Sequence, residues 1–105
     1  MKQDEDNMQA LLWSYEIVTA EKPILNESES YEKLKRELTH YLNDLITNDY
    51  NKLLSILYRI DIAQEKAILE LANNAEKETA GETLARMIIE RQLEKVITRR
   101  KFRKD

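Results

Sequence analysis

The sequence predicts an all-α protein, a small four- to five-helix bundle with a long C-terminal helix. A single glycine, Gly81, and a single proline, Pro23, leave almost none of the turn chemistry that a multi-stranded sheet requires. Ala, Leu, Glu, Lys and Arg dominate the composition and favour helix, with Ile as the abundant exception. Apolar residues recur at spacings of three and four, and strict apolar–polar alternation persists nowhere over a strand length. At 105 residues, roughly 65% of the unfolded surface can be buried, enough for one core, so residues 1–105 are expected to form a single helical domain.

Residues 1–29 read as an acidic N-terminal arm. Within it Met8, Leu11, Leu12, Tyr15 and Val18 fall at helical spacing and predict a short helix over 7–19, capped by Asp6 or Asn7. The competing reading makes 12–18 an extended arm, because Trp13, Tyr15, Ile17 and Val18 suit a strand, although no second strand exists to pair it. Residues 20–30 read as an irregular connector, since Pro23 turns Lys22 from helical geometry and Asn26, Ser28 and Ser30 compete for their own backbone.

The helical core is expected over 30–105. Ser30 is placed to cap a helix over 31–47, whose Leu34, Leu38, Tyr41, Leu42, Leu45 and Ile46 form one stripe. Asn48 and Asp49 then interrupt. Tyr50, Leu53, Leu54, Leu57 and Tyr58 make the next stripe, on a second helix or on the continuation of a kinked one. Asp61 with Gln64 has capping-box spacing and opens a helix over 62–73 with Ala67, Ile68, Leu71 and Ala72 inward. Thr79 with Glu82 is a second capping box and begins the longest helix, where Gly81 is tolerated in the first turn.

At about 100° per residue, Ala85, Ile88, Ile89, Gln92, Leu93 and Val96 share one broad face of that last helix. Arg99, Arg100 and Arg103 then take the same azimuths. Unpaired guanidinium groups cannot be buried there, so the final turns are expected to overhang the globule. Arg99, Arg100, Lys101, Phe102, Arg103 and Lys104 are therefore the candidate partner-binding residues. Ala85, Ile89, Gln92, Val96, Arg99 and Arg103 also follow a heptad-like seam, with Gln92 placed to set register in a helix pair.

The net charge of −3 conceals a polarised distribution: residues 1–32 carry two lysines against eight acids, 33–90 eight cations against ten acids, and 91–105 seven against two. The two ends are complementary within one chain or between two copies. The basic end also has the residue types for phosphate contact, but the chain as a whole is acidic, and 73–79 lacks the short turn of a helix-turn-helix. No apolar run approaches a bilayer span, and the acidic start is the opposite of a secretory or mitochondrial leader, so a cytoplasmic protein without membrane contact is expected.

Catalysis finds little material. With no cysteine there is no disulfide, thiolate metal site or cysteine nucleophile. Glu37 and His40 have the Glu-x-x-His spacing of di-iron bundles, with Asp44 a turn further on, but such a site needs two copies of the motif, which only a symmetric dimer would supply because His40 is the only histidine; a surface histidine among solvated charges is the simpler reading. Ser14, Ser28, Ser30 and Ser55 lack a base in any recognisable motif. No catalytic residue, metal or cofactor is therefore predicted. The sequence points to a non-enzymatic protein-interaction module, homodimeric or binding another protein, with weak nucleic-acid binding through the basic C-terminal helix as the alternative.

Leu53-Leu54-Ser55-Ile56-Leu57-Tyr58-Arg59-Ile60-Asp61-Ile62, with Ile88-Ile89-Glu90-Arg91-Gln92-Leu93-Glu94-Lys95 and Thr98-Arg99-Arg100-Lys101, resembles a group of short uncharacterised bacterial helical proteins. The resemblance covers roughly the carboxyl half and implies a small, free-standing bacterial protein. It carries over no activity and no functional residue. Asp61 is expected to cap a helix and Arg59 to bridge to a carboxylate such as Glu90.

Overall fold

Five helices and no strand make up the described residues, 2–22 and 31–102, of this computed structural model: α1 Lys2–Thr19, α2 Tyr31–Asn48, α3 Tyr50–Ile60, α4 Gln64–Asn74 and α5 Ala80–Phe102. The expected effects of Pro23 and the Ser30 cap lie outside those residues. The C-terminal helix is the spine. Each of the other four helices packs on α5, with α1 and α2 making the most extensive contacts. From Thr83 to Ile89 only Arg86 escapes burial, because neighbours approach from nearly every side.

Helix α2 buries Leu34, Leu38, Leu42 and Leu45, with Tyr41 and Ile46 half-buried at the edges of that stripe, as its spacing predicts. Helix α1 departs from expectation. It runs 18 residues from Lys2, so Asp6 is a helical side chain and not a cap, and the extended reading of 12–18 falls away. Its fully buried face is Ala10, Leu11, Ser14 and Val18, while Met8, Leu12 and Tyr15 are only partly buried. Small side chains allow the closest helix approach, and the Ser14 hydroxyl satisfies itself by donating to the Ala10 carbonyl at 2.7 Å. A stripe drawn through large apolar residues passes over such positions.

Between α2 and α3 the chain breaks at Asp49 (φ −153°, ψ 70°), whose Oδ1 accepts the Lys52 N–H at 3.1 Å, so there are two helices and not one kinked helix. Helix α3 turns its apolar set differently from the predicted stripe. Leu53, Ile56, Leu57 and Ile60 are buried, whereas Tyr50 and Tyr58 are exposed. In α4 only Ala67 is buried; Leu71 is half-buried, and Ile68 and Ala72 face outward. Both corrections have one cause: α3 and α4 have 11 residues each, carry apolar side chains round more than one face, and lie where few elements exist to cover the second.

Asp61 ends α3 and does not begin α4. Its left-handed backbone (φ 67°) lets its N–H donate to the Tyr58 carbonyl at 3.1 Å while the Ile62 N–H donates to the Leu57 carbonyl at 3.0 Å, which is the Schellman pattern. Helix α4 starts after Ala63 with no side-chain cap. The Thr79–Glu82 capping box is present in both directions: the Thr79 N–H donates to Glu82 Oε1 at 2.9 Å and the Glu82 N–H to Thr79 Oγ1 at 3.2 Å.

Candidate interaction surfaces

The predicted basic residues stand beside α1. Arg100 Nη1 lies 2.5 Å from Asp6 Oδ2, and the Arg99 guanidinium sits 4.9 Å from the centre of the Trp13 ring. The length of α1 makes this meeting: an arm beginning at residue 7 does not bring Asp6 into a helix alongside α5. Arg99, Arg100 and Lys101 remain exposed, Phe102 closes α5, and Arg103 and Lys104 lie outside the described residues. The turn that carries Arg99 and Arg100 therefore flanks α1 and does not project clear of the body. The heptad-like seam is also occupied, since Ala85, Ile89, Gln92 and Val96 are buried and Gln92 shares a shallow depression with Trp13 and Ile17.

Groups with displaced protonation belong to structural contacts. Glu78, on the α4–α5 connector, accepts from the Thr83 hydroxyl at 2.6 Å and from Arg86 at 2.5 Å. The Thr83 hydrogen bond, and after it that from Arg86, holds the Glu78 carboxyl below the usual glutamate range, and Glu78 in turn holds Arg86 above its usual value. Lys52 donates to the Tyr41 hydroxyl at 3.0 Å, which raises its pKa. The Tyr31 phenol is pushed up by burial and, secondarily, by Glu32.

The expected bridge from Arg59 to Glu90 is not formed among the described residues; instead Arg91 reaches towards Asp61, at 3.9 Å, and meets Glu94 at 3.6 Å, and its Nε is buried without a hydrogen-bond partner. His40 lies exposed 3.9 Å from Asp44, and among the described residues no three His, Asp or Glu side chains converge as metal ligands. A groove of about 680 Å³ between α2 and the start of α5 is lined by Lys35, Arg36 and Arg86 interleaved with Glu32, Glu78 and Glu82, so no one sign of charge prevails there.

The surface that the sequence reading missed lies on α3 and α4. Tyr58 is 85% exposed, Leu69 60%, Ile68 53% and Tyr50 49%. Tyr50, Leu54 and Tyr58 follow at four-residue steps and make an outward ridge on α3. Between Tyr50 and Leu54 on one side and Ile68 and Leu71 on the other runs a narrow cleft of about 60 Å³. Its base includes Leu53, Leu57, Ala67 and Leu84, all buried. The signal in the sequence was the width of the apolar arc: Ala67, Ile68, Leu69 and Leu71 span more of a helix than one neighbour covers.

No helix among the described residues is long and apolar enough to cross a membrane. Comparison with models of protein families, with curated proteins and with solved structures finds no match.

Proposed function

We propose that this chain is a non-enzymatic protein-interaction module whose docking surface is the outward apolar face of α3 and α4. The observation that supports this reading is that Tyr50 and Ile68 line an apolar cleft between two adjoining helices, on which Tyr58 and Leu69 are exposed as well. Single exposed apolar residues are ordinary on any protein, but a contiguous set marks a surface that gains by being covered. Covering a side chain of this size completely contributes about 1.5–3 kcal/mol, so even the half-exposed ones retain a useful share for association.

Binding is favoured over catalysis because Glu78, Arg86 and Lys52, whose protonation is displaced, are each committed to a contact between elements or within a helix end. Nucleic-acid contact through the basic helix end draws less support, since Arg100 and Arg99 already engage Asp6 and Trp13. The same contact uses the complementary charges that the sequence offered to a homodimer, so those charges no longer favour self-association over another protein.

Site-specific photo-crosslinking tests the reading. A photoreactive residue at Tyr58 is expected to yield a discrete protein adduct in cells, while one at Arg36, on the exposed side of α2, yields none. The reading fails if both positions give the same pattern, or if adducts appear only with nucleic acid.

A further inference from the structure

A buried carboxamide without a partner lies between α1 and α5. Gln92 is only 5% exposed, yet its side chain makes no hydrogen bond to any described residue. Unlike the Nε of Arg91, neither of its polar atoms is sealed, so the carboxamide opens on the depression of about 360 Å³ that it lines with Trp13, Glu16 and Ile17. Buried polar groups are almost always paired, and one left facing a hollow is satisfied by water or by a ligand. The hollow has the size of a small-molecule site, roughly 300–1,000 Å³.

We infer that this depression binds a mononucleotide whose base carries an exocyclic amine, with the phosphate directed to Arg99. The Gln92 carboxamide presents a donor beside an acceptor. The edge of a base offers the complementary pair side by side, as where glutamine reads adenine, whereas a trans peptide unit turns its N–H and C=O to opposite sides and meets only one of the two. Glu16 adds a second acceptor, so a ligand with a spare N–H, as on an amino group, is matched better than one with carbonyls alone. Trp13, with Ile17 one turn further along α1, supplies the apolar wall on which a flat ring packs.

Arg99 sets the direction of the rest of the ligand. It follows Gln92 by seven residues, which keeps it on the same side of α5 and about 10 Å along it. Its guanidinium rests on the Trp13 ring at 4.9 Å, a contact that leaves its charge unneutralised, and no acidic side chain among the described residues pairs with it. One phosphate needs one such cation. A nucleic-acid strand needs several, and Arg100 is already engaged by Asp6.

Trp13 is the sole tryptophan, so its fluorescence reports on this site alone. Titration with adenosine monophosphate, excited at the red edge of the indole band where the base does not absorb, is expected to quench that fluorescence saturably. The analogue dimethylated on its exocyclic amine lacks the N–H and is expected to bind about tenfold more weakly. Adenosine, without the phosphate, is expected to bind about fivefold more weakly, and Arg99→Gln is expected to abolish that difference. Gln92→Leu fills the same space with an apolar side chain and is expected to weaken nucleotide binding about tenfold while its melting temperature holds or rises. The comparison with the dimethylated analogue needs no variant and stands even if Gln92→Leu fails to fold. Equal binding of the two nucleotides, or unchanged binding by folded Gln92→Leu, overturns the inference. So does a chain whose fluorescence no nucleotide quenches, in which the Gln92 carboxamide is hydrated and nothing more. Tighter binding of single-stranded DNA that survives Gln92→Leu also overturns it, and assigns the end of α5 to phosphate contact alone.

Discussion

Asn43 on α2 accepts the backbone N–H of Gly81 on α5 through its Oδ1 at 2.8 Å, so one side chain satisfies an otherwise open donor at the start of the neighbouring helix. The contact requires glycine. A Cβ at position 81 falls 2.5 Å from Asn43 Cγ and 2.6 Å from the Thr39 carbonyl oxygen. Gly81→Ala gains up to about 1 kcal/mol of helix propensity but overpacks the α2–α5 approach, which costs about 1–3 kcal/mol. The expected outcome is net destabilisation of about 1–2 kcal/mol in urea unfolding. Removing Asn43 in the same chain (Asn43→Ala/Gly81→Ala) is expected to relieve only part of the clash, because the Thr39 carbonyl is backbone and stays in place.

Two helices end on a non-glycine residue in the left-handed region: α1 at Ala20 (φ 63°), whose N–H donates to the Glu16 carbonyl at 2.8 Å, and α3 at Asp61 (φ 67°). A Cβ in this region is strained, and glycine removes the strain. Ala20→Gly is expected to stabilise by about 1 kcal/mol. Asp61→Gly is expected to gain less, about 0.5 kcal/mol, because it also gives up the long, exposed contact to Arg91 and the polar side chain's tolerance of this geometry. Thermal melts of both variants check the order; a loss of stability at Ala20 would contradict the assigned backbone.

The Asp6–Arg100 pair joins the acidic and basic ends at 2.5 Å, with Asp6 only 12% exposed. Arg100 is about half exposed, so the coupling belongs between a surface pair and a buried one. A double-mutant cycle with Asp6→Asn and Arg100→Gln is expected to give a coupling energy of about 1 kcal/mol. The Arg99–Trp13 stack, cycled through Arg99→Gln and Trp13→Leu, is expected to give about 0.5–1 kcal/mol. Couplings of zero for both pairs would restore the cationic turn as a free surface.

Glu78 sets a pH dependence whose sign follows from its contacts. Hydrogen bonds from Thr83 and Arg86 lower its folded-state pKa below the ordinary value of about 4.3. Its contribution is therefore complete above that ordinary value and is lost as the pH falls through the lowered folded value. Arg86 stays protonated throughout this range and adds no window of its own. Melting temperatures of the wild type and Glu78→Gln are expected to differ at pH 7 and to converge as the pH falls below the ordinary glutamate range and through the lowered folded value, since Gln keeps an acceptor but not the charge. A gap that is constant with pH would assign the contact's role to geometry alone.

The elements that were legible in the sequence were those in which local chemistry and tertiary position agree. The Leu34–Leu38–Leu42 stripe of α2 and the reciprocal Thr79–Glu82 cap need only neighbours along the chain, and both form as read. Asp61 was misassigned because a carboxylate three residues before Gln64 fits a cap, while nothing local reveals that its backbone turns left-handed. The surface was hidden for a related reason. Periodicity finds apolar faces but not which of two faces a short helix buries, and Tyr50, Tyr58 and Ile68 were drawn inward by spacing alone. The Asp6–Arg100 contact depends on α1 starting at Lys2, five residues before the predicted helix over 7–19.

The orientation of α3 separates these two readings most directly. Ile56 is 3% exposed and was absent from the predicted stripe, whereas Tyr58 belonged to that stripe and is turned to solvent. Ile56→Ala removes buried atoms and leaves a cavity, so a loss of about 2–4 kcal/mol is expected in denaturant unfolding. Tyr58→Ala removes a larger side chain from the surface and is expected to change stability by no more than about 0.5 kcal/mol. Lysine at Leu69 should be similarly neutral and should raise solubility, because it breaks the exposed apolar patch. If Tyr58→Ala instead proved the costlier substitution, α3 would be rotated towards its other stripe, and the face assigned to a partner would belong to the core.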